Sequence, residues 1–296
     1  MMMKWSHMMP KIGVVGTKGG WSSEKLADTV AEKTGYRLLI DLKKIRLDLS
    51  EGMAWYEGQN LMELDALMIK KAGSRYSAAL LDRLELLRFL NERGLKMFSN
   101  PFRIMRVLDR LSCTVTLRIG GIPMPETTIT EDEDEAVQVV ENYGDAVFKP
   151  LYTSKARGMV VIQSGPQARE HIREFKEHYG IMYIQKKLDL GGQDLGITFL
   201  GGKYVTTYAR CSNGSWNTTT HSGGKYRAYH PSQETIDMAQ KAQNLFGLDF
   251  TCVDVAETAE GPVVFEVSAF GGFRGIETAS GIDVSSLYLD YVLKRI

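Results

Sequence analysis

Cysteine is scarce in this chain of 296 residues; there are three, Cys113, Cys211 and Cys252. Their odd number and wide spacing argue against a disulfide framework or a zinc site and fit a reducing cytosol, so a cytoplasmic protein is expected. An excess of either charge is lacking as well. The 36 basic residues balance 36 acidic ones, which leaves no electrostatic case for nucleic acid or a membrane as partner, although a local basic groove is still allowed. No apolar run is long enough to span a bilayer. The opening MMMKWSHMMP lacks the long apolar core of a secretion signal and reads as a loose tail. Internal repeats and low-complexity segments are missing too. So are the common nucleotide signatures. GTKGGWSS, after the first apolar run, has no Lys-Ser or Lys-Thr behind a second spaced Gly, as a Walker A loop needs, and a dinucleotide fingerprint also fails.

The pattern that is present alternates strands and helices. Lys11 to Gly16 is a short apolar run, followed by the Gly-rich loop and a helical pattern from Ser23 to Thr34. The loop is either a tight turn or a substrate-facing element using Trp21 and Ser22. Arg37 to Leu42 reads as a second strand and residues 45–60 as turns and loop. Leu64 to Lys70 is a third apolar run. A helix follows from Ser77 to Arg93, closed at Gly94, and Leu95 to Ser99 is a fourth strand. This alternation predicts a parallel sheet covered on both faces.

Two later runs each deliver an acid. Phe250 to Val255 carries Asp254 and Val263 to Val267 carries Glu266, with AETAEGP between them as a hairpin turn. Antiparallel pairing would place the two carboxylates side by side on one face. They then either hold a hard divalent cation, Mg²⁺ or Mn²⁺, or are exposed strand acids opposite basic neighbours. The acidic run Glu131 to Asp134 opens a helix, where it suits the positive N-terminus. A strand, Ala146 to Pro150, contains Lys149 near its end, and the basic, small-residue loop Leu151 to Met159 leads to a returning strand, Val160 to Gln163. Further strands are expected at Ile181 to Leu188, Ile197 to Leu200 and Tyr204 to Tyr208, with an amphipathic helix at Ser232 to Phe246.

The order after the acid pair, EVSAFGG, then Gly275-Ile276-Glu277 and Gly281-Ile282-Asp283, resembles the C-terminus of ATP-grasp ligases, most closely the branch of the ribosomal-protein glutamate ligase. In that branch the strand reads Glu-Val-Asn, so Ser268 stands where the family has Asn. The resemblance extends over essentially the whole chain. It implies an α/β architecture with α+β lobes: an ATP-grasp fold preceded by a small parallel α/β lobe. The expected divisions are 1–99 for the N-terminal lobe, 100–185 for the middle lobe and 186–296 for the C-terminal lobe, with ATP between the last two.

Residue by residue, the resemblance implies metal ligands Asp254, Glu266 and Ser268. It makes Lys149 the cation that reaches the α- and β-phosphates, and Ser154, Lys155, Arg157 and Gly158 the loop over the triphosphate. SNPFRIMRVLDRLS resembles the first helix of the catalytic fold, with Asp-Lys near its middle. Here that dipeptide is Asp109-Arg110, so Arg110 is either an ATP contact or a solvated helix cation. After Gln185, the backbone of Lys186, Lys187 and Leu188 would meet the adenine edge, and Asp189 or Asp194 would take a ribose hydroxyl. The Gly-x-Asp-x-Arg motif keeps Asp194 but has Gly196 for its Arg. SNGSWNTTTHSGG resembles a phosphate- or acceptor-binding loop. It keeps Trp216, Thr218, Gly223 and Gly224, while Asn217, Thr219 and Ser222 depart from the pattern; Arg210 and Thr219 are assigned to cofactor binding. His221 is either an acid–base group or a polar loop residue. Arg274 would hold the substrate carboxylate or an acyl phosphate, or is a surface cation.

The implied function is ATP- and Mg²⁺-dependent ligation of a small-molecule or peptide carboxylate to an amine, through an acyl phosphate. The alternatives are an ATP-binding regulatory module without ligase activity and an ATP-dependent phosphotransferase.

Overall fold

The computed structural model describes residues 9–73, 77–154, 156–214, 216–218 and 224–296. The expectations for Lys155, Thr219, His221, Ser222 and Gly223 lie outside the described residues.

Strand β1 (Ile12–Val15) runs into α1 (Trp21–Thr34), and β2 (Leu39–Ile40) follows. This second strand is shorter than its apolar run, because the Asp41 carboxylate accepts from the Lys43 amide at 3.1 Å and starts a 3-10 turn. Residues 45–60, expected as turns and loop, form a small antiparallel sheet instead: β3 (Arg46–Asp48), β4 (Met53–Tyr56) and β5 (Gln59–Asn60). These short strands are largely half-exposed and carry polar residues, so no apolar run marks them in sequence. Their connections depend on Gly52 and Gly58, which adopt φ of +69° and +84°. Next come β6 (Ala66–Ile69), α2 (Ala78–Glu92) and β7 (Lys96–Phe98). The strands β2-β1-β6-β7 form the expected parallel sheet.

The helix expected after residue 100 is two helices, α3 (Pro101–Leu108) and α4 (Arg110–Ile119). Asp109 breaks it. Its backbone is extended, at φ −79° and ψ 113°, and its carboxylate accepts from the Leu111 amide at 3.0 Å, capping α4. The Asp109-Arg110 dipeptide is therefore a junction rather than a mid-helix pair, and Arg110 opens the second helix.

The middle of the chain contains β8 (Thr127–Thr130), α5 (Glu133–Tyr143), β9 (Asp145–Lys149), β10 (Val160–Gln163), α6 (Ala168–Tyr179) and β11 (Met182–Lys186). The four strands form an antiparallel sheet ordered β10-β9-β11-β8. Val140, Phe148, Ile172 and Ile184 belong to a core of its own. Asp132 caps α5 by accepting from the Asp134 and Glu135 amides at 2.8 and 3.1 Å, as the acidic run suggests.

The last part comprises β12 (Gln193–Leu200), β13 (Lys203–Cys211), β14 (Lys225–Ala228), α7 (Gln233–Asn244), β15 (Phe250–Thr258), β16 (Gly261–Ser268), α8 (Phe273–Ser280) and α9 (Val284–Leu293). Its five strands are ordered β14-β13-β12-β15-β16. The β15–β16 turn is tighter than AETAEGP suggests, and Pro262 lies in β16 opposite Glu257. β16 is an edge strand, where a missing N–H is tolerated.

One core packs Ile104, Leu108 and Leu117 of α3 and α4 with Met238 of α7 and with Ile197, Val253 and Val264 of this sheet. A second joins the N-terminal lobe to the closing helices: Leu26 and Val30 of α1 share it with Phe273, Tyr288 and Leu289. The Tyr288 hydroxyl donates to the Phe98 carbonyl at 2.8 Å, and the hydroxyls of Thr29 and Ser285 lie 3.1 Å apart. No helix among the described residues is long and apolar enough to cross a membrane.

Candidate active site

The β15–β16 ladder pairs Asp254 directly with Glu266, as the hairpin reading requires. The register then shifts: Val255 pairs with Val264, so Phe265 is the extra residue of a β-bulge. Such a bulge re-aims a side chain. The Lys149 ammonium lies 5.0 Å from the centre of the Phe265 ring. The bulge thus brings the last residue of β9 onto the strand that carries Glu266. Nothing in the period of VVFEV marks Phe265 as different from its neighbours.

Each acid of the pair already meets a guanidinium. Arg110 reaches Glu266 at 3.3 Å and also donates to the carbonyls of Pro150 and Thr153, at 3.1 and 3.4 Å. It thereby ties α4, the loop after β9 and β16 together, and it is no solvated helix cation. Arg210 reaches Asp254 at 3.1 Å and pairs with Asp194 through both nitrogens of its fork. Burial pushes the Asp254 carboxyl up to about 7. Arg210 opposes that rise and Glu266 adds to it.

Asp194 is 7% exposed and accepts from both Arg210 and Thr218. It holds Arg210 in place, while Asp189, the other candidate for a ribose hydroxyl, is exposed and accepts from the Gly191 amide at 2.9 Å. The motif Arg missing at Gly196 has a steric reason. A Cβ there would collide with the Tyr208 ring, so no larger residue fits while that ring is present.

Lys149 is partly buried and donates to the Gln185 side-chain oxygen. Gln185 is itself 1% exposed and fixed by donating to Thr127 Oγ1 at 3.0 Å. Its structural task is to aim Lys149. Burial pulls the Lys149 ammonium down to about 7; Arg110 acts in the same direction, and Glu266 and Asp254 oppose it.

The hinge after β11 is partly spoken for. The Lys186 and Lys187 amides donate to the Glu126 and Asp145 carbonyls, each at 2.9 Å. Their ammoniums pair with the Glu126 and Asp145 carboxylates at 2.6 and 3.2 Å. Those two N–H groups are therefore taken. The hinge has carbonyl oxygens and the Leu188 backbone to offer.

In the loop after β9, Arg157 donates back to the Ser154 carbonyl at 3.1 Å. Gly158 is needed by the fold itself: its φ is +70°, and a Cβ would strike the Tyr179 hydroxyl. A cavity between this loop, α4 and β16 is lined by Arg110, Cys113, Thr153, Ser154, Glu266 and Ser268.

Ser268 Oγ accepts from the Phe270 amide at 3.1 Å, closing the turn that follows β16. Beyond that turn, Arg274 is exposed on α8, with its guanidinium 5.1 Å from the centre of the Trp21 ring. Trp21 thus does face a candidate site residue, across the junction with the N-terminal lobe.

No group of three or more His, Cys, Asp or Glu side chains is placed to hold a metal ion among the described residues. Asp254 and Glu266 nevertheless suit Mg²⁺, which commonly takes one or two carboxylates and completes its shell with phosphate oxygens and water.

Comparison with known proteins gives this geometry its family. Residues 102–292 match the RimK-like ATP-grasp domain. The tetrahydromethanopterin:alpha-L-glutamate ligase of Methanosarcina acetivorans is 25% identical, over 96% of this chain and 99% of its own. A probable alpha-L-glutamate ligase of Methanococcoides burtonii is 27% identical, over 93% and 92%. Among solved structures, the ATP-grasp ligase PsnB with a minimal precursor superposes with a TM-score of 0.75 at 18% identity, covering 97% of this chain and 100% of that one. D-cycloserine synthetase DcsG gives 0.74 at 14% identity, covering 96% and 99%. With a match over well over half its length, the chain belongs to the RimK-like ATP-grasp family and is an ATP-dependent carboxylate–amine ligase.

Proposed function

We propose that this enzyme joins the carboxylate of a small molecule or peptide to the α-amine of an amino acid, with L-glutamate as the first candidate. The carboxylate oxygen attacks the γ-phosphorus of ATP and ADP leaves. The amine nitrogen then attacks the acyl carbon, loses a proton and expels phosphate. The names of the relatives support glutamate. All the relatives named above are ligases or synthetases, so neither a phosphotransferase nor a regulatory module is favoured.

The observation that carries the reading is the contact of Lys149 with the Phe265 bulge. It sets a phosphate-seeking ammonium from the middle sheet beside the acid pair of the last sheet. ATP would lie between these two sheets, with lobes divided at 1–99, 100–185 and 186–296 and with α3 and α4 of the middle stretch packed onto the last sheet. Lys149, held by Gln185, and Arg110, held by two carbonyls, would meet the phosphates as preset cations that need no reorganisation. Ser154 and the backbone at Gly158 would close over them. Asp254 and Glu266 would hold Mg²⁺ or Mn²⁺, with the free lone pair of Ser268 as a weaker third donor. That cation would supply neutralisation of the phosphate charge. Arg210 would keep the Asp254 carboxylate oriented, and Arg274 would hold a substrate carboxylate. Three free thiols fit a reducing cytoplasm.

The test is mass spectrometry after incubation with ATP, Mg²⁺, L-glutamate and a panel of carboxylates. An amide with matching ADP is the expected result. A phosphorylated product, or nucleotide binding without any product, would sink the ligation reading.

A further inference from the structure

Lys70, directly after β6, is a buried cation that none of the roles above uses. It is 3% exposed, and among the described residues no carboxylate forms an ion pair with it. Its ammonium donates to the Gly271 carbonyl at 2.6 Å. It lies 4.3 Å from the centre of the Phe273 ring and 5.6 Å from that of Phe250. Its own amide is fixed to the Val15 carbonyl at 2.9 Å, at the end of β1. A cation from the N-terminal sheet thus reaches into the turn that joins β16 to α8.

That turn is gripped on several sides. Ser268 closes its start through the Phe270 amide. Gly271 is pressed onto β15 so closely that a Cβ would collide with Cys252. Gly272, by contrast, has open space where its Cβ would be, and Arg274 follows two residues later. Of these grips, the Lys70 bond is the one that comes from the N-terminal lobe. Burying an ammonium without an acid partner is unfavourable, and placing it costs stability that an apolar residue of similar length would not.

We propose that Lys70 is a positioning residue for the ligase reaction: by holding the Gly271 carbonyl and resting on Phe273, it fixes the turn that aims Arg274 at the substrate carboxylate. The bond acts on the acceptor side, and the nucleotide side has its own cations, Lys149 and Arg110. The part concerning Arg274 rests on the ligation reading above; the bond between Lys70 and the turn does not.

The test compares the full-length enzyme with Lys70→Met, which keeps an unbranched apolar stem and removes both the donor and the charge. Amide hydrogen exchange over residues 269–276 should rise about tenfold or more in the variant, with β15 and α9 no faster than in the parent. Calorimetry with a non-hydrolysable ATP analogue should give an unchanged Kd, which also shows that the variant is folded. With L-glutamate-dependent ADP formation as the assay, the apparent KM for the carboxylate substrate should rise about tenfold while that for ATP stays put. Unchanged exchange in 269–276 would overturn the proposal. So would faster exchange across the whole molecule, or parallel losses in both KM values, since either marks a packing role alone. The exchange measurement needs no substrate. It therefore decides the hold of Lys70 on the turn even where the parent enzyme rejects L-glutamate.

Discussion

Replacing Lys70 with Met should make the protein more stable, and more so in acid than in base. Burial pulls the Lys70 ammonium down to about 7 from an ordinary 10.5, with Lys71 adding to the fall and Cys252 opposing it. Between those two values the unfolded chain binds the proton and the folded protein releases it, so stability rises with pH across that window. Below about 7 the penalty is fully present. At roughly 1.4 kcal/mol per unit, the gap corresponds to about 5 kcal/mol at pH 6, shrinking to about 2 kcal/mol at pH 9. Met forgoes the hydrogen bond to Gly271, worth about 1 kcal/mol net. The variant should therefore gain about 3–4 kcal/mol at pH 6 and about 1 kcal/mol at pH 9. Urea unfolding of both proteins at the two pH values, extrapolated to water, reads the difference directly. A variant that is less stable than the parent at pH 6, or a gain that does not change with pH, would refute the idea of an uncompensated buried charge.

Three further outcomes are expected. Lys149→Ala should weaken binding of an ATP analogue by about ten- to a hundredfold through loss of a charge-assisted contact, with its melting curve intact; unaltered affinity in calorimetry removes Lys149 from the site. Glu266→Gln should still bind nucleotide but lose metal-dependent ADP release, because an amide keeps the size and drops the charge that attracts a hard cation; release near the parent rate would refute the metal assignment. Asp194→Asn should destabilise the fold by about 3–5 kcal/mol, since it leaves the buried Arg210 with Asp254 as its remaining acid; a loss below about 1 kcal/mol in denaturant titration would show that Arg210 does not depend on that pair.

A hairpin carrying both acids was legible from two short apolar runs and a Gly-Pro signal, although counting back from its turn, Thr258 opposite Gly261, would set Asp254 opposite Phe265 rather than Glu266. The bulge one residue later was not, since it inserts a single residue without altering the apolar pattern around Phe265. The buried parallel strands of the N-terminal lobe announced themselves as apolar runs and its helices through period and caps, whereas β3, β4 and β5, equally short, are largely half-exposed and interrupted by polar residues. The hold of Asp194 on Arg210 was not legible, because a motif position names a residue but not its neighbours. Its partner Arg210 sits opposite it on β13, and Thr218 comes from a loop. Lys70 looked like the polar end of an apolar run. Its burial is produced by Phe250, Gly271 and Phe273, some two hundred residues away, and no local pattern encodes that.

The core shared by α1 and the closing helices also constrains the order of folding. Ile12 and Val14 of the first sheet and Leu26 of α1 share one core with Phe273, Tyr288 and Leu289. During synthesis the first sheet is thus made early but cannot complete that core until the last helices have left the ribosome. Contacts so distant in sequence are slow to close and leave apolar surface waiting. A chain stopped after residue 272 should therefore keep the middle sheet, whose core is local to residues 136–184, protected from protease, and expose the first hundred residues to cleavage.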